Sequence, residues 1–219
     1  MSSPSPKQAL FGQFALVAKA LGHPQRLELV EQIGQGPRSV EVLAVKLGLP
    51  VANVSQHLQN MRRAGLVEAS RQGRFVIYRL SDPAVLEVVA GLQRIAEHNL
   101  AEVDKIVRGY FDERDTMEPV SRGELAERMK DGLVTVLDVR PEDEFALGHV
   151  PGAINVPLDR LENELAALGA GREVVAYCRG AYCVLSFEAV SKLRSKGIKA
   201  RRLEDGMPEW IAAGLPVEA

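Results

Sequence analysis

The spacing of apolar residues in the first half of the chain predicts amphipathic helices. Apolar side chains recur every three or four residues between positions 10 and 21, the interval that places them on one face of a helix. This helix should end near Gly22 and His23, and Pro24 can occupy the first turn of a second helix that stops at Gly34. The apolar positions of the two helices are Leu10, Phe14, Val17, Leu21, Leu27, Leu29, Val30 and Ile33.

The next segment predicts a second pair of helices. Ser39 can cap a third helix that extends to Leu47, because a serine side chain accepts hydrogen bonds from the first backbone amides of a helix. Gly48-Leu49-Pro50 then forms a tight turn before a fourth helix over about residues 51–64. One face of that helix must be buried, whereas its other faces are polar and can meet solvent or a partner. The apolar face consists of Val54, Leu58 and Met61.

A basic hairpin follows the fourth helix. Two β-rich runs, residues 66–69 and 74–80, flank Arg71-Gln72-Gly73, which predicts a hairpin with its tip at these three residues. Between positions 50 and 80 the single acid is Glu68, beside five arginines. A local basic patch of this kind favours binding of a polyanion on one face.

The pattern changes after the polar residues 112–118, which we interpret as a linker. Beyond them, short β-branched runs alternate with helical segments, an order typical of a mostly parallel sheet flanked by helices. The chain is thus predicted to contain two domains, a mainly helical one over residues 7–111 and an α/β one over residues 119–219. Strands are predicted over residues 133–139, 174–177 and 198–203, and helices over residues 122–130 (capped by Ser121) and 184–195, with a further helical turn from Pro208.

Composition excludes several classes of protein. The 219 residues include 46% apolar and 5% aromatic side chains at a formal net charge of -2, values typical of globular domains and not of disordered chains. The apolar stretch over residues 8–18 is far shorter than the roughly 20 residues that a membrane-spanning helix requires. We therefore expect no membrane association and no secretory signal. Two cysteines cannot form a disulfide scaffold, which favours a reducing, cytoplasmic setting.

The first domain resembles the ArsR-type winged-helix repressors. The resemblance rests on residues 54–67 (VSQHLQNMRRAGLV), which are similar to the recognition helix of that family, and on residues 21–27 (LGHPQRL). It implies a winged helix-turn-helix with a β-hairpin wing that binds a double-stranded DNA operator, its recognition helices in successive major grooves. It also implies a homodimer, joined through the first helix and a long last helix over about residues 83–110.

Polar and basic side chains on the recognition helix and the hairpin are the candidate DNA contacts. Amides and hydroxyls can pair with base edges, whereas arginines can neutralise phosphates and make binding depend on salt. A solvated helix surface without a partner is the alternative interpretation of the amides. The candidate DNA-binding residues are Asn53, Ser55, Gln56, His57, Gln59, Asn60, Arg62, Arg63, Arg71 and Arg74.

The first domain lacks the ligands with which many ArsR-type repressors sense metals or arsenicals. Its third helix, residues 40–47, contains no cysteine, and the last helix offers His98 with scattered acids. A transition-metal site normally needs three or four suitably spaced ligands. We therefore predict no metal site and no cofactor, and expect any chemical sensor to lie in the second domain.

The two cysteines lie in a loop between a predicted strand and a predicted helix. At such a position backbone amides and the helix dipole favour a thiolate, so Cys178 should have a lowered pKa and act as a nucleophile. Arg179 is expected to add a cation at the mouth of the loop. The candidate catalytic residues are Cys178, Arg179, Gly180, Ala181, Tyr182 and Cys183.

The second domain resembles the rhodanese family. The motifs LDVRPEDEF (residues 137–145), GHVPGAINVP (148–157) and DGMPEW (205–210) occur in the family's order. The resemblance implies that Cys178 takes sulfane sulfur from a donor such as thiosulfate, becomes a persulfide and passes the sulfur to a thiol acceptor. It further implies that three side chains fix the loop by ion pairing and hydrogen bonding, namely Asp138, Arg140 and His149.

Two features of the loop narrow its chemistry. Related phosphatases of this fold place an arginine six positions after the cysteine, where this chain has Val184, so phosphatase activity is not expected. Cys183 can attack a persulfide or sulfenic acid on Cys178 and form a disulfide or polysulfide bridge. Alternatively, Cys183 is an inert residue at the start of the helix, or both thiols capture an arsenical or a soft metal.

The leading hypothesis joins the two domains into a dimeric transcriptional regulator in which Cys178 senses or transfers sulfane sulfur. One alternative is a thiosulfate or persulfide sulfurtransferase for which the DNA-binding module supplies localisation or dimerisation. Another is a repressor in which the loop recognises an oxyanion or arsenical without turnover. The motivating observation is that both cysteines lie in the loop and none lies in the first domain.

Overall fold

The computed structural model describes residues 5–107, 109, 118–164 and 171–219. These residues form two compact units, Met1–Val89 and Ala90–Ala219. Residues 112–117 of the proposed linker lie outside the described part of the chain, as does Tyr110 at the expected end of the last helix. None of the described helices combines the length and the apolar character needed to cross a membrane.

Helices and a small antiparallel sheet form the first half of the chain, as expected. In the sheet, the strand that follows the hairpin tip lies between the other two strands. The elements are α1 (Pro6–Leu21), α2 (Pro24–Gly34), β1 (Arg38–Ser39), α3 (Val40–Leu47), α4 (Val51–Arg63), β2 (Val67–Gln72) and β3 (Phe75–Leu80), followed by α5 (Ala84–Asn99) and α6 (Ala101–Ile106).

Side-chain caps fix the starts of α1 and α3. The Ser5 Oγ atom accepts a hydrogen bond from the Gln8 amide at 3.3 Å, and the Gln8 side chain accepts one from the Ser5 amide at 2.8 Å. The predicted cap of α3 is confirmed, since Ser39 Oγ accepts a bond from the Val42 amide at 3.4 Å. The helix then ends at Gly48, which adopts the left-handed conformation (φ 63°) that glycine tolerates best.

The apolar face of α4 forms the centre of the first core. Val54, Leu58 and Met61 are completely buried, as their spacing predicts, and pack with Leu29 of α2 and Leu43 of α3. Burial of this face leaves the polar faces of α4 outward, which is the arrangement that a recognition helix requires.

Two elements of the first half differ from expectation. Arg71 and Gln72 do not lie at the hairpin tip but pair with Val76 and Phe75, so the turn lies at positions 73–74. The expected last helix is interrupted between α5 and α6. At this point the Asn99 side chain donates a hydrogen bond to the Ile95 carbonyl at 2.8 Å, and such side-chain bonds compete with helix continuation.

The second unit contains a four-stranded sheet with all neighbours parallel, in the order β5-β4-β6-β7. Parallel strands end at the same edge of a sheet, so the segments that follow β4, β5 and β6 leave from one edge, where α/β folds bind ligands. The elements are α7 (Arg122–Lys130), β4 (Val134–Asp138), α8 (Glu142–Phe145), β5 (Ile154–Asn155), β6 (Glu173–Tyr177), α9 (Val184–Ser195), β7 (Ala200–Arg202) and α10 (Met207–Ala212).

Candidate functional site

The loop between β6 and α9 carries both cysteines of the chain. Cys178 directly follows β6 and is 1% exposed, whereas Cys183 is the partly exposed residue that precedes α9. Their sulfur atoms are joined in a disulfide, with the two Cα atoms 6.1 Å apart. Because the chain has two cysteines, this structure represents the oxidised, thiol-free form of the loop.

Backbone hydrogen bonds hold the loop but leave part of it unpaired. The Cys183 amide donates to the Gly180 carbonyl at 3.1 Å, and the Cys178 carbonyl accepts a bond from the Met207 amide at 3.1 Å. Within the described residues, the amides of Gly180 and Ala181 donate to no group. Unpaired amides in such a loop can donate hydrogen bonds to an anionic sulfur, and a persulfide anion on Cys178 would need such donors.

Arg179 does not provide the uncompensated cation that the sequence predicts at the mouth of the loop. Its guanidinium forms a bidentate ion pair with Glu144, in which Nη2 donates to Oε1 at 2.8 Å and Nε donates to Oε2 at 2.9 Å. Glu144 is completely buried, so its carboxylate needs this partner. Arg179 therefore ties the loop to α8.

A second ion pair, between Asp138 and Arg140, is completely buried at the end of β4. Arg140 donates to Asp138 through Nη2 at 2.7 Å and to the Gly148 carbonyl at 2.8 Å. Burial disfavours the charged guanidinium. The hydrogen bonds to Asp138 and the negative charge of Asp138 outweigh that cost and raise the pKa of Arg140. Asn155 also donates to the carbonyls of Asp138 and Arg140, at 3.1 Å and 2.9 Å. This network fixes the segment that leaves β4 beside the cysteine loop.

His149 packs against neighbouring residues of the second unit. Its ring stacks on Phe145 with 3.6 Å between centroids, and Nδ1 lies 3.1 Å from the Phe145 carbonyl oxygen. The His149 backbone pairs with Glu218. Tyr177 supports the same segment, since its hydroxyl accepts a bond from the Val150 amide at 3.1 Å, and burial raises the pKa of that hydroxyl.

Glu144, Gly206 and Glu209 are site residues that the sequence reasoning missed. Gly206 lies directly against the backbone of Arg179 and Gly180. Glu209 accepts a bond from the Gly206 amide at 3.0 Å, and burial raises the pKa of its carboxyl. The signal for these residues was present in the motifs at residues 137–145 and 205–210, but a carboxylate in a charged run gives no indication that it is buried.

We expect Gly206→Ala to displace the cysteine loop. A Cβ atom at this position would overlap the backbone of Arg179 and Gly180, which no side-chain rotation can relieve. Overpacking costs about 1–3 kcal/mol, so urea should unfold the second unit at a lower concentration. The fluorescence of Trp210, the chain's single tryptophan and 1% exposed, reports this transition.

The matched control for this prediction is Gly123→Ala in α7. A Cβ at Gly123 meets no atom within 4 Å, and alanine favours the helix more than glycine does. If the two variants unfolded at the same urea concentration, the close packing of Gly206 on the loop would be refuted.

The polar faces of α4 present most of the candidate DNA contacts to solvent. Ser55 and Asn60 are half-buried, and they accept long hydrogen bonds from Gln59 at 3.4 Å and Gln56 at 3.5 Å. Such weak contacts leave the two glutamine amides accessible to a partner. The exposed candidates are Asn53, Gln56, Gln59, Arg62, Arg63, Arg71 and Arg74.

His57 is placed differently from the other candidates on α4. Its Nε2 atom lies 2.8 Å from the Gln25 Oε1 atom, and its ring centroid is 4.7 Å from that of His23. Burial, together with the positive charges of His23 and Arg26, lowers the pKa of His57. His57 therefore packs α4 against the start of α2, and its role as a DNA contact stays a prediction.

No described group of three or more histidine, cysteine or acidic side chains has a geometry that could hold a metal ion. The structure thus provides, within its described residues, two separate candidate functional surfaces. One is the exposed polar and basic face of α4 with the hairpin, and the other is the cysteine loop with its buried ion pairs.

Comparisons with known proteins agree with this division. Residues 21–69 match the helix-turn-helix domain family, and residues 121–213 match the rhodanese-like domain family. The chain is 42% identical over 212 residues to the HTH-type transcriptional regulator Rv0324 of Mycobacterium tuberculosis, an alignment that covers 97% of this chain and 93% of that protein.

Solved structures match each half separately. One is the homodimeric winged helix-turn-helix DNA-binding domain of Mb0332 from Mycobacterium bovis, a possible ArsR-family regulator, with 35% identity, a TM-score of 0.42 and coverage of 46% of this chain and 93% of that one. Another is a rhodanese-related protein from Thermoplasma volcanium, with 29% identity, a TM-score of 0.42 and coverage of 47% and 98%.

Proposed function

We propose that this chain, which belongs to the HTH-type transcriptional regulators and combines an ArsR-type winged helix with a rhodanese-like domain, regulates transcription in response to sulfane sulfur. The observation that carries the proposal is the position of its two cysteines. Both lie in the loop at the ligand-binding edge of the rhodanese-like domain, close enough to be bridged. The DNA-binding module has no cysteine of its own.

The proposed reaction begins with the reduced loop. The Cys178 thiolate attacks the outer sulfur of a persulfide donor RSSH, so that a Cys178 persulfide forms and the thiolate RS⁻ leaves. The Cys183 thiolate, its proton lost to solvent, then attacks Sγ of Cys178. A Cys178–Cys183 disulfide forms and hydrosulfide, HS⁻, leaves. The sulfane sulfur is thereby reduced and the two thiols are oxidised to the bridge.

We further propose that the chain acts as a homodimer. Helix α1 exposes one row of apolar side chains, and α5 exposes another. Contiguous apolar side chains on the surface of a monomer favour association, because association removes them from water. Burial of these rows in a dimer would place two recognition helices on one DNA duplex. The exposed apolar residues are Leu10, Phe11, Phe14, Leu16 and Val17 on α1, and Val88, Leu92 and Ile95 on α5.

Operator binding before and after donor treatment tests the proposal. The DNA is a duplex that the reduced protein selects from a random-sequence pool, and the donor is an inorganic polysulfide. Allosteric coupling between sites typically changes affinity about 5–150-fold, and we expect a change within this range. Unchanged affinity, with steady turnover of thiosulfate, would instead favour a sulfurtransferase whose DNA-binding module serves another purpose.

The salt dependence of binding tests the DNA-binding face. If Arg62 and Arg63 each contact a phosphate, then Arg62→Gln or Arg63→Gln should reduce the slope of log K against log salt by about 1. Lys130→Gln, at an exposed position in α7 of the other unit, is the charge-matched control and should leave the slope unchanged. Slopes equal to that of the wild type in both arginine variants would place the DNA on a different surface.

A further inference from the structure

A cleft at the ligand-binding edge of the rhodanese-like domain is not used by the reaction described above. Its volume is about 800 Å³, within the range of pockets that hold small molecules. The segments that follow β4 and β5 form one wall, and α9 forms the other. The lining residues that matter here are Val139, Leu158, Asp159, Leu185 and Lys192.

The cleft reaches the first turn of the helix that follows the cysteine loop. Leu185 lies in the first turn of α9, two residues after Cys183, and lines the cleft. Val139, Leu158 and Leu185 belong to the apolar cluster in which both cysteines are packed. Lys192 follows Leu185 by two helical turns, about 10 Å along the axis. The cleft thus runs along α9 from Leu185, in the turn next to Cys183, to Lys192.

The charges in the cleft are arranged for a ligand with both an amine and a carboxylate. Arg160 is neutralised by Glu142 at 2.6 Å and Glu164 at 3.4 Å. By contrast, neither Asp159 nor Lys192 forms a side-chain ion pair or hydrogen bond with any residue that the structure describes. One uncompensated anion and one uncompensated cation in the same cleft match a zwitterionic molecule better than a simple anion.

The exposure of the two cysteine residues indicates where a reductant can attack the bridge. Cys178 is 1% exposed, whereas Cys183 is partly exposed and lies two residues before Leu185, which lines the cleft. In this bridged form an incoming thiolate therefore meets Cys183 more readily than Cys178. The Cys178 thiolate is then the leaving group.

We propose that this cleft binds a low-molecular-weight thiol of the amino-acid or short-peptide class, RSH, which resets the sensor. The thiolate RS⁻ attacks Cys183 Sγ, so that a Cys183–SR mixed disulfide forms and the Cys178 thiolate leaves. A second RS⁻ attacks the mixed disulfide, which releases RSSR and returns Cys183 as a thiolate. This inference rests on the proposed function in one respect, namely that the Cys178–Cys183 disulfide forms during sensing and must be reduced again.

The rate of bridge reduction in the oxidised full-length chain tests the proposal. L-cysteine and glutathione, as amino-acid and peptide forms, are compared with uncharged 2-mercaptoethanol at equal thiolate concentrations, and the freed cysteines are labelled and counted by mass spectrometry. We expect saturable rates with the zwitterionic thiols and a linear rate with 2-mercaptoethanol. Whichever of L-cysteine and glutathione has the lower half-saturation concentration identifies the ligand as an amino-acid or a peptide thiol.

Lys192→Gln provides the matched variant. Loss of one partly exposed ion pair should raise the half-saturation concentration for the preferred thiol about three- to fivefold. The rate with 2-mercaptoethanol should not change, and neither should any rate in Lys196→Gln, an exposed lysine just beyond α9. Linear rates with every thiol, or an equal effect of Lys192→Gln on 2-mercaptoethanol, would overturn the proposal.

The failure of the proposed function has a different signature. If polysulfide never generated the bridge in the wild type, the sensing cycle would be refuted before any thiol was added. If the bridge formed and all thiols reduced it without saturation, sensing would stand and the cleft would have no part in the reset.

Discussion

Replacing Cys178 with serine is expected to abolish the response of operator binding to sulfane sulfur. Without the Cys178 thiolate no persulfide forms, and Cys183 has no partner for a bridge. Polysulfide should then leave operator affinity within about twofold of its untreated value, against the larger change expected of an allosteric coupling in the wild type. The measurement is a DNA-shift titration of reduced and donor-treated protein.

Cys183→Ser is the informative comparison for this prediction. The variant keeps the nucleophile but cannot complete the bridge, so it separates persulfide formation from bridging as the event that changes DNA affinity. Serine is close in size to cysteine, and unchanged Trp210 fluorescence establishes that the second unit of each variant remains folded. A full polysulfide response in Cys178→Ser would show that the sensing chemistry lies elsewhere in the chain.

The second large effect is expected from Asp138→Ala. This substitution leaves the Arg140 guanidinium completely buried without its counterion. Removal of one member of a buried ion pair typically costs about 3–5 kcal/mol, since a buried charge is left uncompensated. The free energy of unfolding of the second unit should fall by this amount, as measured by urea denaturation with Trp210 fluorescence.

An exposed ion pair provides the control. Glu68 and Arg79 pair across the hairpin of the first unit with both side chains more than half exposed. Glu68→Ala should therefore cost no more than about 1 kcal/mol and should not move the Trp210 transition. If Asp138→Ala were as mild as Glu68→Ala, the buried pair could not be what fixes the segment beside the cysteine loop.

The spacing of apolar residues predicted the helices and strands better than it predicted the turns and breaks between them. The bounds of α9, Val184–Ser195, agree with the predicted helix because apolar spacing continues to a clear stop at Gly197. The turn of the hairpin was predicted too early, since Arg71 and Gln72 can pair in a strand as readily as they can turn. The break between α5 and α6 was missed because the Asn99 side-chain bond carries no apolar signal.

The partners of charged residues could not be obtained from the sequence. Arg179 lies in the cysteine loop, and its position in the chain suggests a cation available to a ligand. Its compensation by Glu144, 35 positions away, depends on how α8 packs against the loop. His57 is a similar case, because it occurs within a polar recognition helix yet lies against Gln25. Such contacts arise from tertiary packing, which one residue's neighbours in the sequence do not encode.

The most direct test of the central claim is the intact mass of the reduced Cys183→Ser variant after exposure to polysulfide. Cys178 is then the single thiol in the chain, and no resolving cysteine can remove the sulfur that it accepts. We expect a mass increase of one sulfur atom, located on Cys178 by peptide analysis and reversed by dithiothreitol. An unchanged mass at donor concentrations that alter operator binding by the wild type would contradict the account.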